Sequence, residues 1–410
     1  MNERRVKPNA TLAKLDLINC DEILTLIIII AWLLLGFLAL GPAAFIYFYR
    51  KRSSKKSWPT KVDQNYYPTV SIIVPTYNES SIIYLKLLNI ARLKYPANLT
   101  QIVLVDSNSS DNTVEIAKHF IQEKPQMNLK ILVEKERQGK SYALNSALSQ
   151  CEGEVVIVSD VDCFWPLAIL EKTVPFLADS SVGAVGGPKI ILNSDATWVT
   201  RMERDYLKSA NILRLGESMD GSTPFFEGGF SAFKRSSFDR FDPYCTGSDD
   251  CGTVISVVER NFRAMLVPEA EFYSPFPTSV RSKLDVKLRR INQLIRVFGK
   301  YFSLLTKGKL KTSKKTLIPN IMLYLFSPSA FVLFLILTVF LIYNFPYLLL
   351  ILTLLAVPKV RFYSYEIFES NILLFLAMFG VAAGRSFSIW NQPDDRACLS
   401  REKLNQLNLV

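Results

Sequence analysis

The chain has 410 residues and carries 48 Lys and Arg against 37 Asp and Glu, a formal net charge of +11. That length accommodates one catalytic domain of about 200 residues plus further segments, and the charge suits an anionic membrane face, phosphorylated ligands or nucleic acid without choosing among them. One histidine, His119, and six cysteines with no C-x-x-C pair argue against a zinc site or a disulfide framework, so any metal must sit on oxygen and the chain fits a reducing compartment.

Residues 1–22 read as an amino-terminal tail. The apolar run at 23–49 exceeds the ~20 residues of a spanning helix. Asp21 and Glu22 precede it, unlike the basic start of a cleavable signal, so it reads as a retained anchor. RKRSSKK follows at 50–56, which by the positive-inside rule puts this end in the cytoplasm, although Arg4, Arg5, Lys7 and Lys14 pull the other way. From 67 to 280 short apolar runs alternate with helical stretches. TVSIIV (69–74), QIVLVD (101–106), LKILVE (129–134) and EVVIVSD (154–160) are predicted strands, with helices at 81–93, 113–121 and 141–149 between them. This is a β-α-β pattern and predicts a parallel sheet, whose ligands bind at the strands' carboxyl ends. Thr76, Asn78, Glu79, Asp106, Asp160 and Asp162 stand where those runs end.

In the region 281–315, Leu284, Leu288, Ile291, Ile295 and Phe298 fall on one face of a predicted helix and Arg289, Gln293, Arg296 and Lys300 on the other. Either it lies in a membrane interface, its basic face towards the domain or lipid phosphates, or it is a surface helix packed on the core. A basic collar, KGKLKTSKK (307–315), leads into 316–390, which offers two or three crossings. The first runs from 317 to 343 with Pro319 and Pro328 as kink points, 347–357 is short for a span, and 372–389 is adequate apart from Arg385. A tail, 391–410, follows, and charge does not assign its side of the membrane.

Several short motifs carry chemistry. In SDVDC (159–163) two carboxylates one residue apart follow a strand and can address one site, and their hard oxygens suit magnesium or manganese bridging a diphosphate. RQGKSYALNSAL (137–148) puts Lys140 at a helix start, where amide N–H groups and an ammonium favour anions; the alternative is a solvated lysine. In FFEGGFSAFKR (225–235), Gly228 and Gly229 allow close backbone approach to a ligand or simply a tight turn, with Glu227 beside them. In GSDDCGT (247–253), Asp249 and Asp250 crowd negative charge, which helps one of them accept a proton. In VDSNSSDNT (105–113), Ser110 or Asp111 is a helix cap.

In this order, together with VPTYNE (74–79) and QLIRV (293–297), these motifs resemble the membrane-integrated family-two inverting glycosyltransferases, a group with cellulose and hyaluronan synthases and many lipid-linked sugar transferases. The resemblance spans 67–299. It implies an α/β fold of GT-A (Rossmann-like) type with flanking transmembrane helices. It further implies a nucleotide site at Thr76, Glu79, Asp106, Lys140 and Asp160, a divalent metal on Asp162, Asp250 as general base, and acceptor or pyrophosphate contacts from Glu227, Gly228, Gly229, Asp249, Gln293 and Arg296. Two departures stand out. Ser248 and Asp249 replace the Thr and Glu of T-E-D, which leaves the role of Asp249 open, and Val297 replaces the Trp of Q-x-x-R-W, a platform for a sugar ring.

The expected protein is therefore an integral plasma- or cell-membrane enzyme with a cytoplasmic catalytic domain. Its partners are a nucleotide-sugar donor, UDP-linked by analogy, a lipid-linked or saccharide acceptor and the bilayer, but no nucleic acid. One or a few sugars are transferred, with processive polysaccharide synthesis as the alternative. A nucleotide receptor and a membrane nucleotidyltransferase are rival readings, and Asp250 beyond the glycine loop argues against both.

Overall fold

The computed structural model describes residues 20–310, 314–384 and 399–410. Residues 1–19, and the expected span from Arg385 onward with the first part of the tail, lie outside them. The chain opens with the apolar helix α1 (Cys20–Ser53). Alternating elements follow: β1 (Val70–Thr76), α2 (Ile83–Ala91), β2 (Thr100–Asp106), α3 (Thr113–Glu123), β3 (Asn128–Val133), α4 (Lys140–Leu148), β4 (Val155–Val158) and α5 (Ile169–Thr173). Then come β5 (Val182–Gly186), β6 (Lys189–Ile191), α6 (Trp198–Met219), β7 (Ser231–Lys234), α7 (Asp249–Glu259), β8 (Arg263–Leu266) and β9 (Phe272–Ser274).

Seven of the strands form one sheet in the order β3-β2-β1-β4-β7-β5-β8, and β6 and β9 pair separately. The four predicted strands run parallel, while β7 is antiparallel to both β4 and β5. The Val/Ile-rich run of β1 is buried on both faces because helices cover both sides. Its period of two sorts them: Val70, Ile72 and Val74 pack with Ile83 and Leu87 of α2 and Phe120 of α3, whereas Ile73 packs with Ala143 and Leu144 of α4 and Val254 of α7.

The predicted amphipathic helix is α8 (Val280–Thr306), and it packs on the core of the domain. Val297, Phe298 and Tyr301 join the core of the domain, and Ile295 packs on Leu374 and Ala377 of a later helix, so α8 is clamped between two layers. Beyond it stand α9 (Lys314–Ile321), a π-turn (Met322–Phe326), α10 (Ser327–Asn344), α11 (Pro358–Ala382) and α12 (Arg401–Gln406). The wide turn precedes Pro328, which has no N–H for the α-helical ladder. Among the described residues, three helices are long and apolar enough to cross a membrane: Ile23–Ser53, Lys314–Asn344 and Pro358–Ala382. Trp32 Nε1 donates to Thr338 Oγ1 at 2.8 Å and Ser327 Oγ to the Leu38 carbonyl at 2.8 Å, so α10 runs antiparallel to α1.

Two junctions tie these helices to the domain. Arg50, fully buried at the end of α1, donates to Asp220 Oδ2 at 2.9 Å and to the Lys315 carbonyl at 2.7 Å. The end of the expected tail is no tail: Leu404, Leu409 and Val410 are buried against the face that carries α2, and Asn89 Nδ2 donates to the Leu409 carbonyl at 2.6 Å. Each such leucine contributes about 1.5–3 kcal/mol by burial, which is enough to dock a twelve-residue segment.

Candidate active site

Topology creates the site. β4 ends beside the start of β7, with Val158 opposite Ser231, so the residues after β4 meet those before β7. Asp160 and Asp162 therefore face the Gly228 loop. Lys140, the first residue of α4, reaches across: its Nζ lies 2.6 Å from Asp160 Oδ1 and 2.9 Å from Asp249 Oδ2, at the start of α7. A Cβ on Gly228 would stand 3.2 Å from Asp160 Oδ2, 3.4 Å from Lys140 Nζ and 3.6 Å from Asp250 Oδ2. Four sequence segments thus converge within a few ångströms around one glycine.

The two glycines have different duties. Gly228 lines the charged cleft, while a Cβ on Gly229 would lie 1.9 Å from the Phe272 ring, so Gly229 is required by packing. Its carbonyl also accepts from Trp165 Nε1 at 2.9 Å.

Electrostatics follow from crowding. Burial works against the charge on Lys140, but Asp160, Asp249 and Asp250 outweigh it and hold the ammonium protonated. Burial, with Asp250 and Asp160 close by, outweighs Lys140 at Asp249 and pushes that carboxyl up to about 6. Asp250 accepts from Cys251 N–H at 2.7 Å and from Ser248 Oγ through Oδ1. Its Oδ2 is the atom nearest Gly228. Beneath the carboxylates lies Lys86, fully buried on α2 and missed by sequence reasoning, which donates to Ser159 Oγ and the Cys163 carbonyl, with its nitrogen 4.4 Å from the centre of the Trp165 ring. Burial lowers it to about 8.

Metal-binding chemistry fits Asp160 and Asp162. Ligand atoms of Asp160, Asp162 and Cys163 lie within 4.8 Å of one another. Burial pushes the Cys163 thiol well above its ordinary value, so the carboxylates are the effective ligands, a hard oxygen set for magnesium or manganese.

The other expected site residues divide. Asp106 is wholly buried; it accepts from Ser109 N–H at 2.8 Å, Ser109 Oγ at 2.6 Å and Thr76 Oγ1 at 3.1 Å, so it shapes its loop rather than facing an open cleft. Glu79 is also buried, and its N–H donates to Thr113 Oγ1 at 2.8 Å. Asp111 accepts from Ser80 and Thr113 N–H groups, a turn-stabilising role. Gln293 Nε2 donates to the Gly247 carbonyl at 2.5 Å, bracing the loop before Asp249. Arg296 Nε donates to Asn292 Oδ1 at 3.3 Å. Glu227 pairs with Arg214; burial pushes its carboxyl up, but Arg214, Arg290 and Lys189 prevail and hold it low. Val297 is fully buried in the core, so its replacement of the family's tryptophan removes no platform from the cleft.

One further residue, Asn145, escaped sequence reasoning, and another, Arg289, was read there only as part of a polar helix face. Asn145 donates to the Phe241 carbonyl at 3.0 Å and accepts from Phe241 N–H at 2.8 Å, locking α4 to the loop that leads to Asp249; it is the asparagine of the Lys140 motif. Arg289 shares a helical face with Gln293 and Arg296 and feels Asp160, Asp249 and Asp250; burial and Arg290 nevertheless lower it to about 10. The i, i+4, i+7 spacing was the available signal.

Comparison with known proteins follows this geometry. The family described as Glycosyl transferase family 2 matches residues 71–241. The chain is 33% identical over 135 residues to a beta-monoglucosyldiacylglycerol synthase from Synechocystis, covering 33% of this chain and 28% of that protein. It is 27% identical over 234 residues to an N-acetylglucosaminyltransferase from Rhizobium meliloti, covering 54% of each. The chain thus spans about half or less of these curated relatives. Among solved structures it is similar to the mannosyltransferase PcManGT from Pyrobaculum calidifontis in complex with GDP-Man and Mn2+, with a TM-score of 0.73 and 28% identity, covering 88% of this chain and all of that one.

Proposed function

Since the chain carries a glycosyltransferase family 2 domain of GT-A fold, we propose that it transfers a sugar from a nucleotide sugar to a lipid-linked or other membrane-associated acceptor, with inversion. The observation that carries this reading is the convergence of Asp160, Lys140, Asp249 and Asp250 on Gly228. Asp162, with Asp160, would hold magnesium or manganese, which would supply positive charge to neutralise a diphosphate leaving group. Lys140 stands at the helix start beside those carboxylates, placed to meet the donor's phosphates, and Arg289 and Arg296 approach from α8. Asp250, with Oδ2 towards the Gly228 backbone and Oδ1 anchored, takes the proton from the acceptor hydroxyl as that oxygen attacks the anomeric carbon; the bond to the diphosphate breaks, and no covalent enzyme intermediate is needed. Asp249 holds Lys140.

The similar mannosyltransferase holds GDP-Man, which puts GDP-mannose first in the donor panel, ahead of the UDP-linked sugars that the sequence resemblance suggests. We place the domain on the cytoplasmic side, next to the basic segment after α1. Two crossings, by α9–α10 outward and α11 back, return the chain to that side, consistent with the docked segment at 399–410. Three candidate spans favour short products over a polymer channel.

Asp250→Asn is the test. Donor binding should persist while transfer falls by about 10²-fold or more, the usual scale for removing a general base. Near-normal turnover would show that the base is another residue. Mass spectrometry of the product at limiting enzyme separates one or a few added sugars from long polymer.

A further inference from the structure

The chemistry above leaves one charged side chain without a task. Lys86 stands on α2, on the buried side of the turn that carries Asp160 and Asp162, and no part of it reaches solvent. Lysine is among the residues least often fully buried, because protein groups must replace the water its ammonium loses. Here they do: Nζ donates to Ser159 Oγ and to the Cys163 carbonyl, and the centre of the Trp165 ring lies 4.4 Å away.

The two partners define what this ammonium does. Ser159 and Cys163 are the first and last residues of the S-D-V-D-C motif, so one group ties together both ends of the turn between which the metal carboxylates hang. The turn starts where β4 stops pairing, at Val158. Ser159 N–H still donates to the Ile73 carbonyl at 3.0 Å, Cys163 N–H donates to the Asp160 carbonyl at 3.2 Å, and Phe164 bridges to Tyr273. Lys86 adds the cross-link from the interior. One turn further along the same face of α2, Asn89 accepts from Trp165 N–H at 3.0 Å and donates to the Trp165 carbonyl at 2.8 Å. The helix thus grips the stretch 159–165 at Ser159, Cys163 and Trp165, and the ring on which Lys86 rests is itself held by the Gly229 carbonyl.

Resting on the metal role given above to Asp160 and Asp162, we propose that Lys86 is a positioning residue: it holds the turn in the shape in which both carboxylates address one ion, before the ion arrives. Ligand atoms of Asp160, Asp162 and Cys163 already lie within 4.8 Å of one another, a spacing that repulsion between the two carboxylates opposes. In a turn free to move, an ion must also order its ligands, and binding weakens by that cost. Lys86 acts through the turn, because its hydrogen bonds go to Ser159 and Cys163. A bare counter-charge would behave in the opposite way: its removal would relieve repulsion of the incoming cation and tighten binding. The sign of the change therefore separates a brace from a charge.

The experiment titrates the full chain, in phosphatidylcholine nanodiscs, with Mn2+ and reads the free ion by electron paramagnetic resonance, so no donor and no turnover are involved. Lys86→Met keeps the length of the side chain but loses its charge and its donors, and should weaken Mn2+ binding about tenfold or more, the scale of a charge-assisted hydrogen bond. Leu87→Ala is the control: Leu87 is fully buried in the core with Val70 and Ile72 of β1, so its loss lowers stability and should leave the Mn2+ Kd within about twofold. If Lys86→Met does not fold, Ser159→Ala removes one of the two anchors of the ammonium and should weaken Mn2+ about threefold. With an active donor, Lys86→Met should raise the KM for Mn2+ about tenfold and change kcat at saturating Mn2+ less than about threefold. Equal or tighter Mn2+ binding by the folded variant, an equal loss in Leu87→Ala, or no Mn2+ binding by the unmodified chain overturns the brace. The expected loss of Mn2+ affinity in a chain that turns over no nucleotide sugar would uphold the brace and sink the transferase reading instead.

Discussion

The cleft around Gly228 and the polar face of α6 are both charged, but they are finished to different degrees. In the cleft, Lys140 is shared by two carboxylates, Asp106 is saturated by its own loop, and Asn145 and Gln293 brace the segments that carry Asp249 and Asp250. Along the polar face of α6 and its neighbours, Glu203, Arg214, Glu227 and Glu366 each keep one buried atom with no hydrogen-bond partner among the described residues. The difference follows from what builds each region. The cleft hangs on adjacent strands of one sheet, whose ladder fixes its geometry before any ligand arrives, a form of preorganisation. The face of α6 meets helices of separate layers through long side chains, such as Lys287 of α8 beside the Tyr206 ring, with no shared ladder to fix their geometry.

The sharpest way to break this comparison is at the metal carboxylates. Asp162→Asn should abolish metal-dependent donor binding, and so should chelation of the unmodified protein, because with the Cys163 thiol held protonated the two carboxylates are the effective ligands. Calorimetric donor binding that survives excess EDTA would remove the metal from the account. Next in size is the split between the glycines. Gly229→Ala forces a methyl group into the Phe272 ring and should cost about 1–3 kcal/mol or more of stability. Gly228→Ala should keep its melting temperature but lose about tenfold in transfer, since its methyl meets Asp160 and Lys140 at 3.2 and 3.4 Å. Equal melting losses for both would mean that Gly228 is also a packing residue.

On α8 a smaller contrast applies. Arg289→Ala and Arg296→Ala should each reduce turnover about tenfold, the loss of one charge-assisted contact. Lys300→Ala should change it less than twofold: its nitrogen sits 3.9 Å from the Tyr244 ring centre, a contact of about 0.5–1 kcal/mol. Equal effects from all three would reduce α8 to a structural clamp. The smallest expected effect belongs to Asp249. Its folded-state pKa is raised from 3.8 to about 6, so the folded, metal-free protein holds an extra proton between those values. The stability this group contributes is complete below about 3.8 and lost as pH rises through about 6. Melting temperature against pH should therefore show a fall over that window that Asp249→Asn lacks, and parallel curves for the two proteins would contradict the crowding argument.

Much of the cleft was legible in the chain itself. Asp160 and Asp162 after an apolar run, Lys140 at a helix start and Asp250 after a glycine loop are local signals, and strand order brings such ends together without further information. The β-α-β alternation and the apolar spans are likewise written in periodicity and length, because each depends on residues near one another in sequence. What required the tertiary structure depends on neighbours distant in sequence. The antiparallel insertion of β7, the burial of Val297 and Asp106, the docking of Leu404 and Leu409, and Lys86 beneath the metal carboxylates are all set by which surfaces meet. The polar face of α6 shows this most clearly. Glu203 and Arg214 read along the chain as part of an ordinary polar helix face, and only the tertiary fold buries them, Arg214 against Phe225 and Glu227.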